Sequence, residues 1–147
     1  MKAPITLAQY VKRRTGITLG GKGSLSAMLY NSLGASNFAQ FWQYWNPIWS
    51  YYLSKYVMKP LHQVLPGGLA MLLTFAVSGA LHDLAVAIIK WQLFFFFTPW
   101  FVIMGGIALI GQVLGLSYRQ YSWMIRATCN SIFIVLSYYL THLLLVY

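Results

Sequence analysis

At 147 residues the chain is one domain in length. It is 59% hydrophobic and only 7% charged, with a mean hydropathy of +0.63, whereas ordinary soluble domains carry about a quarter charged residues. A soluble globular fold is excluded, and no room remains for a soluble catalytic module beside membrane spans. The net charge of +9 does not mark a nucleic-acid binder, because the basic residues sit in connecting segments between apolar runs rather than along one polar face.

The composition predicts an all-α integral membrane protein with about three transmembrane helices and an aromatic-rich interfacial helix. In chain order, residues 1–34 read as a basic cytoplasmic segment, with Lys2, Lys12, Arg13, Arg14 and Lys22 lying against anionic headgroups and a short helix over 6–14. No apolar core of a cleavable signal is expected there. Gly16 to Ser24 comes close to a phosphate-binding glycine loop. Gly23 stands where a hydroxyl is needed and no strand precedes it, so the loop reads as flexible glycine rather than as a nucleotide site.

Residues 35–147 form the membrane domain. Over 38–62, Phe41, Trp45, Ile48, Trp49, Tyr52, Leu53 and Tyr56 recur at three- and four-residue spacing, which predicts an amphipathic helix at the membrane interface. Asn46-Pro47 interrupts it: proline suits the first position of a new helix, and Asn46 is then its cap. Spans follow at about 67–89, 91–116 and 124–146. Pro99 is expected to kink the second, and Gly111 to Gly115 to offer a small-residue packing face. Seven lysines and arginines precede the first span, one follows it and two lie near the turn before the third, which puts the amino terminus in the cytoplasm. Cys129 is the only cysteine, so an intrachain disulfide is excluded.

The first span carries a histidine and the only acid of the chain, His82 and Asp83. Carboxylates and other ionised groups inside a span cost about 2.5–3.5 kcal/mol each on insertion scales and are retained for a task. Ser78 lies one turn before His82 on the same helical face, and Gly79 leaves space beside the ring. Asp83 is turned away from the ring and should meet a basic or polar group of a neighbouring segment. A neutral imidazole can take a proton from a hydroxyl; it can equally form one interhelical hydrogen bond, and the residues alone leave both open.

Two stretches together resemble the membrane-bound O-acyltransferase family. Asn37-Phe-Ala-Gln-Phe-Trp-Gln-Tyr-Trp-Asn46-Pro-Ile-Trp49 is similar to its FW…W-N/H…W aromatic segment, and Val77-Ser-Gly-Ala-Leu-His82-Asp83 to the SG-x-x-H-[G/E/D] segment that follows. The likeness covers residues 37–89. It implies acyl transfer from a thioester, usually acyl-coenzyme A as cosubstrate, to a hydroxyl-bearing acceptor among membrane lipids, with no metal. Carried over by position, His82 is similar to the essential histidine and Asn46 to the second polar residue. Trp42, Trp45, Ser78 and Asp83 are expected to bind substrate. Asparagine at position 46 resembles the branches acting on small or lipid hydroxyls. Family members usually have more spans, so a second copy, a partner subunit or a more open cleft is expected to complete the tunnel. Two further readings stay open: a non-enzymatic membrane subunit that packs through its helices, and a basic peripheral anchor built on Lys12, Arg13 and Arg14.

Overall fold

The structure, a computed structural model, describes residues 4–147; Lys2 of the basic tail lies outside them. Among the described residues there are only helices: α1 (Leu7–Thr15), α2 (Ser24–Leu33), α3 (Phe38–Tyr44), α4 (Pro47–Leu53), a π-helical turn (Ser54–Met58), α5 (Lys59–His62), α6 (Gly67–Lys90), α7 (Phe97–Val113) and α8 (Trp123–Val146). Two of these, α6 and α8, are 24 residues long and apolar enough to cross a membrane. At 1.5 Å per residue each reaches about 36 Å, beyond the roughly 30 Å hydrocarbon core. The third apolar helix, α7, has 17 residues.

The basic amino-terminal region holds two helices. Thr6 and Gln9 form a reciprocal capping box that starts α1, and Gly16, at φ 76°, ends it. Lys12, Arg13 and Arg14 occupy the last turn, where cations favour the helix dipole. The amide of Asn31 on α2 donates to the Arg14 carbonyl at 3.2 Å, tying the two helices together.

The aromatic segment is interrupted where Asn46-Pro47 is expected to interrupt it. Asn37 caps α3 by accepting from the Gln40 amide at 2.8 Å. The chain then breaks at Trp45-Asn46 and restarts at Pro47. Phe38, Ala39 and Phe41 of α3 pack with Ala35 against Met104 and Ala108 of α7, and this is the buried core. Phe133 of α8 reaches the same place, 5.3 Å from the Phe38 ring. Asn130, fully buried on α8, donates to the carbonyls of Leu33 and Ala35 at 2.8 and 3.1 Å, so the α2–α3 link is fastened to the third apolar helix. Tyr118, in the turn before α8, donates its hydroxyl to Asn130, and burial raises its phenol above the usual tyrosine range. Outer faces of α6 and α8, such as Leu84, Ile88, Leu140 and Leu144, are exposed apolar surface, as helices facing lipid require.

Three details of the second apolar helix differ from expectation. Residues 91–96 are not helical, and α7 starts only at Phe97. Pro99 falls in its first turn, where a missing N–H breaks no hydrogen bond, so it produces no kink. Gly111 faces open space and Gly115 lies past the helix end at φ 64°. The close-packing glycine of α7 is Gly105 instead, where a Cβ would sit 2.8 Å from the Phe75 ring of α6.

Candidate functional site

Helices α6 and α7 run antiparallel, as their contacts at both ends show: His82 lies 5.5 Å from the Phe97 ring, and a Cβ on Gly68 would lie 3.2 Å from Leu109. The chain from α4 through the π turn to α5 also runs antiparallel to α6. Trp49 meets Ser78, Met58 meets Thr74, and His62 lies against Gly67. These three elements and α3 line most of a half-open cavity of about 720 Å³. On α6 it is lined by Gly67, Gly68, Met71, Thr74, Phe75, Ser78 and His82, one stripe at helical spacing. The stripe covers fifteen residue steps, about 22 Å of helix.

The motif around His82 divides its residues between this cavity and the packing of α7. His82 Nδ1 lies 2.7 Å from the Ser78 carbonyl oxygen. A carbonyl only accepts, so Nδ1 carries the hydrogen and a neutral ring keeps its lone pair on Nε2. Ser78 therefore meets His82 through its backbone. Its hydroxyl accepts instead from the Trp49 indole at 2.9 Å, joining α4 to α6. The imidazole is half-buried and sits among Trp49, Phe97 and Phe101, with centroid distances of 5.9, 5.5 and 5.0 Å.

Gly79 does not leave room for the imidazole. A Cβ there would come within 2.6 Å of the Phe97 carbonyl and 2.7 Å of Thr98 Cα, so its bare surface lets the start of α7 rest on α6. Asp83, one turn further along that face, is buried. Its Oδ1 accepts from the amides of Phe96 and Phe97 at 2.9 and 2.7 Å, and Oδ2 from the Thr98 amide and hydroxyl at 2.8 and 2.6 Å. The polar partner expected for Asp83 is thus the amino end of α7, where orphan amides and the helix dipole favour an anion. Asp83, expected among the substrate-binding residues, does not line this cavity.

Asn46 lines the same cavity as His82. Its backbone is left-handed, φ 42° and ψ 70°, and its Oδ1 accepts from the Trp49 amide at 3.3 Å. Asparagine tolerates that conformation better than most residues and supplies the cap oxygen, so both local demands are met by one side chain. Trp42 and Trp45 line the cavity as well. The buried indole nitrogen of Trp42 has no hydrogen-bond partner among the described residues. Residues not predicted to belong to the site also wall it: Trp49 of the aromatic stripe, beside His82, and Phe97, Trp100 and Phe101 of α7. Their spacing of three and four on α7 is the signal that identifies that face.

Helices apolar enough to cross a membrane thus surround a cavity that His82 and Asn46 both line. The family model of MBOAT, the membrane-bound O-acyltransferase family, matches residues 26–141, and the chain belongs to that family. No curated protein and no solved structure matches it. Family membership carries acyl transfer in membranes as the general activity.

Proposed function

We propose that this chain moves an acyl group from a thioester to a hydroxyl inside the cavity, with His82 as general base. The observation that supports this most is the state of the ring: Nδ1 is held by the Ser78 carbonyl and Nε2 is left as the acceptor, in a cavity that Asn46 also lines. An acceptor hydroxyl within reach of Nε2 gives up its proton as its oxygen attacks the thioester carbonyl. The carbon–sulfur bond breaks and the thiol leaves with a proton. The side-chain amide of Asn46, which lines the cavity, is a donor for developing negative charge on the carbonyl oxygen, and the indole N–H of the lining residue Trp42, unpaired among the described residues, is a second. Trp45 and Ser78 bound the space in which the reactants lie.

The donor is acyl-coenzyme A or a similar thioester, and the acceptor is a small or lipid hydroxyl. The charge distribution supports a cytoplasmic amino terminus. A second copy or a partner subunit is the simplest cover for the open side of the cavity. The test is transfer of labelled acyl groups from acyl-coenzyme A in membranes carrying the full chain, with lipid profiling to identify the acceptor. His82→Ala should reduce transfer by roughly 10²–10⁴-fold, the usual contribution of a positioned base. Full turnover by that variant overturns the assignment.

A further inference from the structure

A second cavity, of about 340 Å³, adjoins the first: Tyr10 and Ser54 line both. Its walls include the extended residues before α1, Tyr51, and the two lysines at 55 and 59. The Tyr51 hydroxyl donates to the Ile5 carbonyl at 3.3 Å and the Tyr10 and Tyr51 rings meet edge-on at 5.6 Å, so the wall is fastened at two points. Lys55 Nζ stands over the rings of Tyr51 and Tyr56, at 5.8 and 5.2 Å. A third cation lies close by: Arg14 stacks on Tyr10 at 5.0 Å and donates to Gln43, itself a lining residue of the main cavity.

Among the described residues no acidic side chain pairs with this group. There are ten lysines and arginines and one acidic side chain, and that carboxylate is engaged by the amino end of α7. Lys55 and Lys59 both line this cavity, which gathers positive charge along one wall of it. The π turn that carries Lys55 places both lysines at one opening beside a preformed cavity; such turns are frequent at functional sites.

We propose that the second cavity is an anion site for a phosphate ester, with Lys55 and Lys59 as its ligands and Arg14 at the shared rim. Ammonium groups serve phosphate oxygens as point-charge donors. Two sources share this chemistry: the phosphates of a nucleotide-bearing thioester donor, and the headgroup of an anionic phospholipid. Only the first rests on the acyl-transfer reading.

The experiment uses the full chain in nanodiscs of zwitterionic lipid, with two probes: free coenzyme A, followed by titration, and dioctanoyl phosphatidic acid, counted by native mass spectrometry. Lys55→Gln with Lys59→Gln should weaken binding of coenzyme A about tenfold or more, while the control pair Lys12→Gln and Arg13→Gln leaves it near wild type. Loss of phosphatidic acid binding alone, in the same double variant, supports the site and assigns it to the headgroup. The proposal is overturned if neither probe binds the wild-type chain, if the Lys55/Lys59 variant binds both as wild type does, or if the control pair loses as much. Binding is read without turnover, so lysine-dependent binding in a chain that transfers no acyl group would sink the acyl-transfer reading and leave the anion site standing.

Discussion

His82 and Asp83 are neighbours in sequence and have opposite environments. His82 turns to the cavity with one ring nitrogen free, whereas Asp83 turns to α7 and has both oxygens occupied by four donors. Serine and glycine divide the same way one turn earlier: Ser78 lines the cavity, and Gly79 supports the α7 backbone. One short motif thus builds a cavity-lining face and the seat that holds the opposite wall in register. An ionisable residue in a span is therefore not by itself a sign of chemistry; what its polar atoms already touch decides the matter.

Substitutions on the two faces should separate activity from stability. The largest expected effect is on the cavity-lining face: His82→Ala removes transfer while the melting temperature in detergent stays within a few degrees of wild type. A variant that lost most of its helical signal would show the ring to be structural instead. Next comes Asp83→Ala, which strands three amides and a hydroxyl at the start of α7 and should lower stability by about 3 kcal/mol. Thermal unfolding followed by circular dichroism reads this directly, and an unchanged midpoint would remove Asp83 from the seat. Asn46→Asp keeps the cap oxygen and tolerates the left-handed backbone but loses the amide donor. Transfer should fall about 100-fold with little change in melting, and retained turnover would reduce Asn46 to a cap. The smallest effect is expected for Gly79→Ala, where a methyl meets backbone atoms of Phe97 and Thr98. Overpacking of this kind costs about 1–3 kcal/mol, and hydrogen exchange at the first amides of α7 should rise with it.

Much of this arrangement is legible in the letters. Hydropathy finds α6 and α8 because each is a long apolar run with a basic or polar boundary, and Asn46-Pro47 announces the restart at α4 through local rules alone. The start of α7 is less visible. Trp91 to Phe96 is as apolar as the helix that follows, and Pro99 reads as a kink until one sees that Asp83 sets the first turn just ahead of it. The role of Gly79 is hidden for the same reason, since the atoms it accommodates come from residues eighteen and nineteen positions later. The cavity itself cannot be read locally, because its lining is one face each of helices whose mutual register is a tertiary fact. Trp49 shows the limit: its spacing gives it to the aromatic stripe, but only the fold brings its indole to Ser78.

The π turn at Ser54–Met58 gives the wall opposite α6 an angular phase that an unbroken α-helix would lack. The same number of residues wound as a continuous α-helix would reach α5 roughly 100° out of phase, with the Met58 sulfur turned away from Thr74 and the His62 ring from Gly67. Met58 lines the first cavity and Lys55 the second, so the phase set by this one turn shapes both chambers at once.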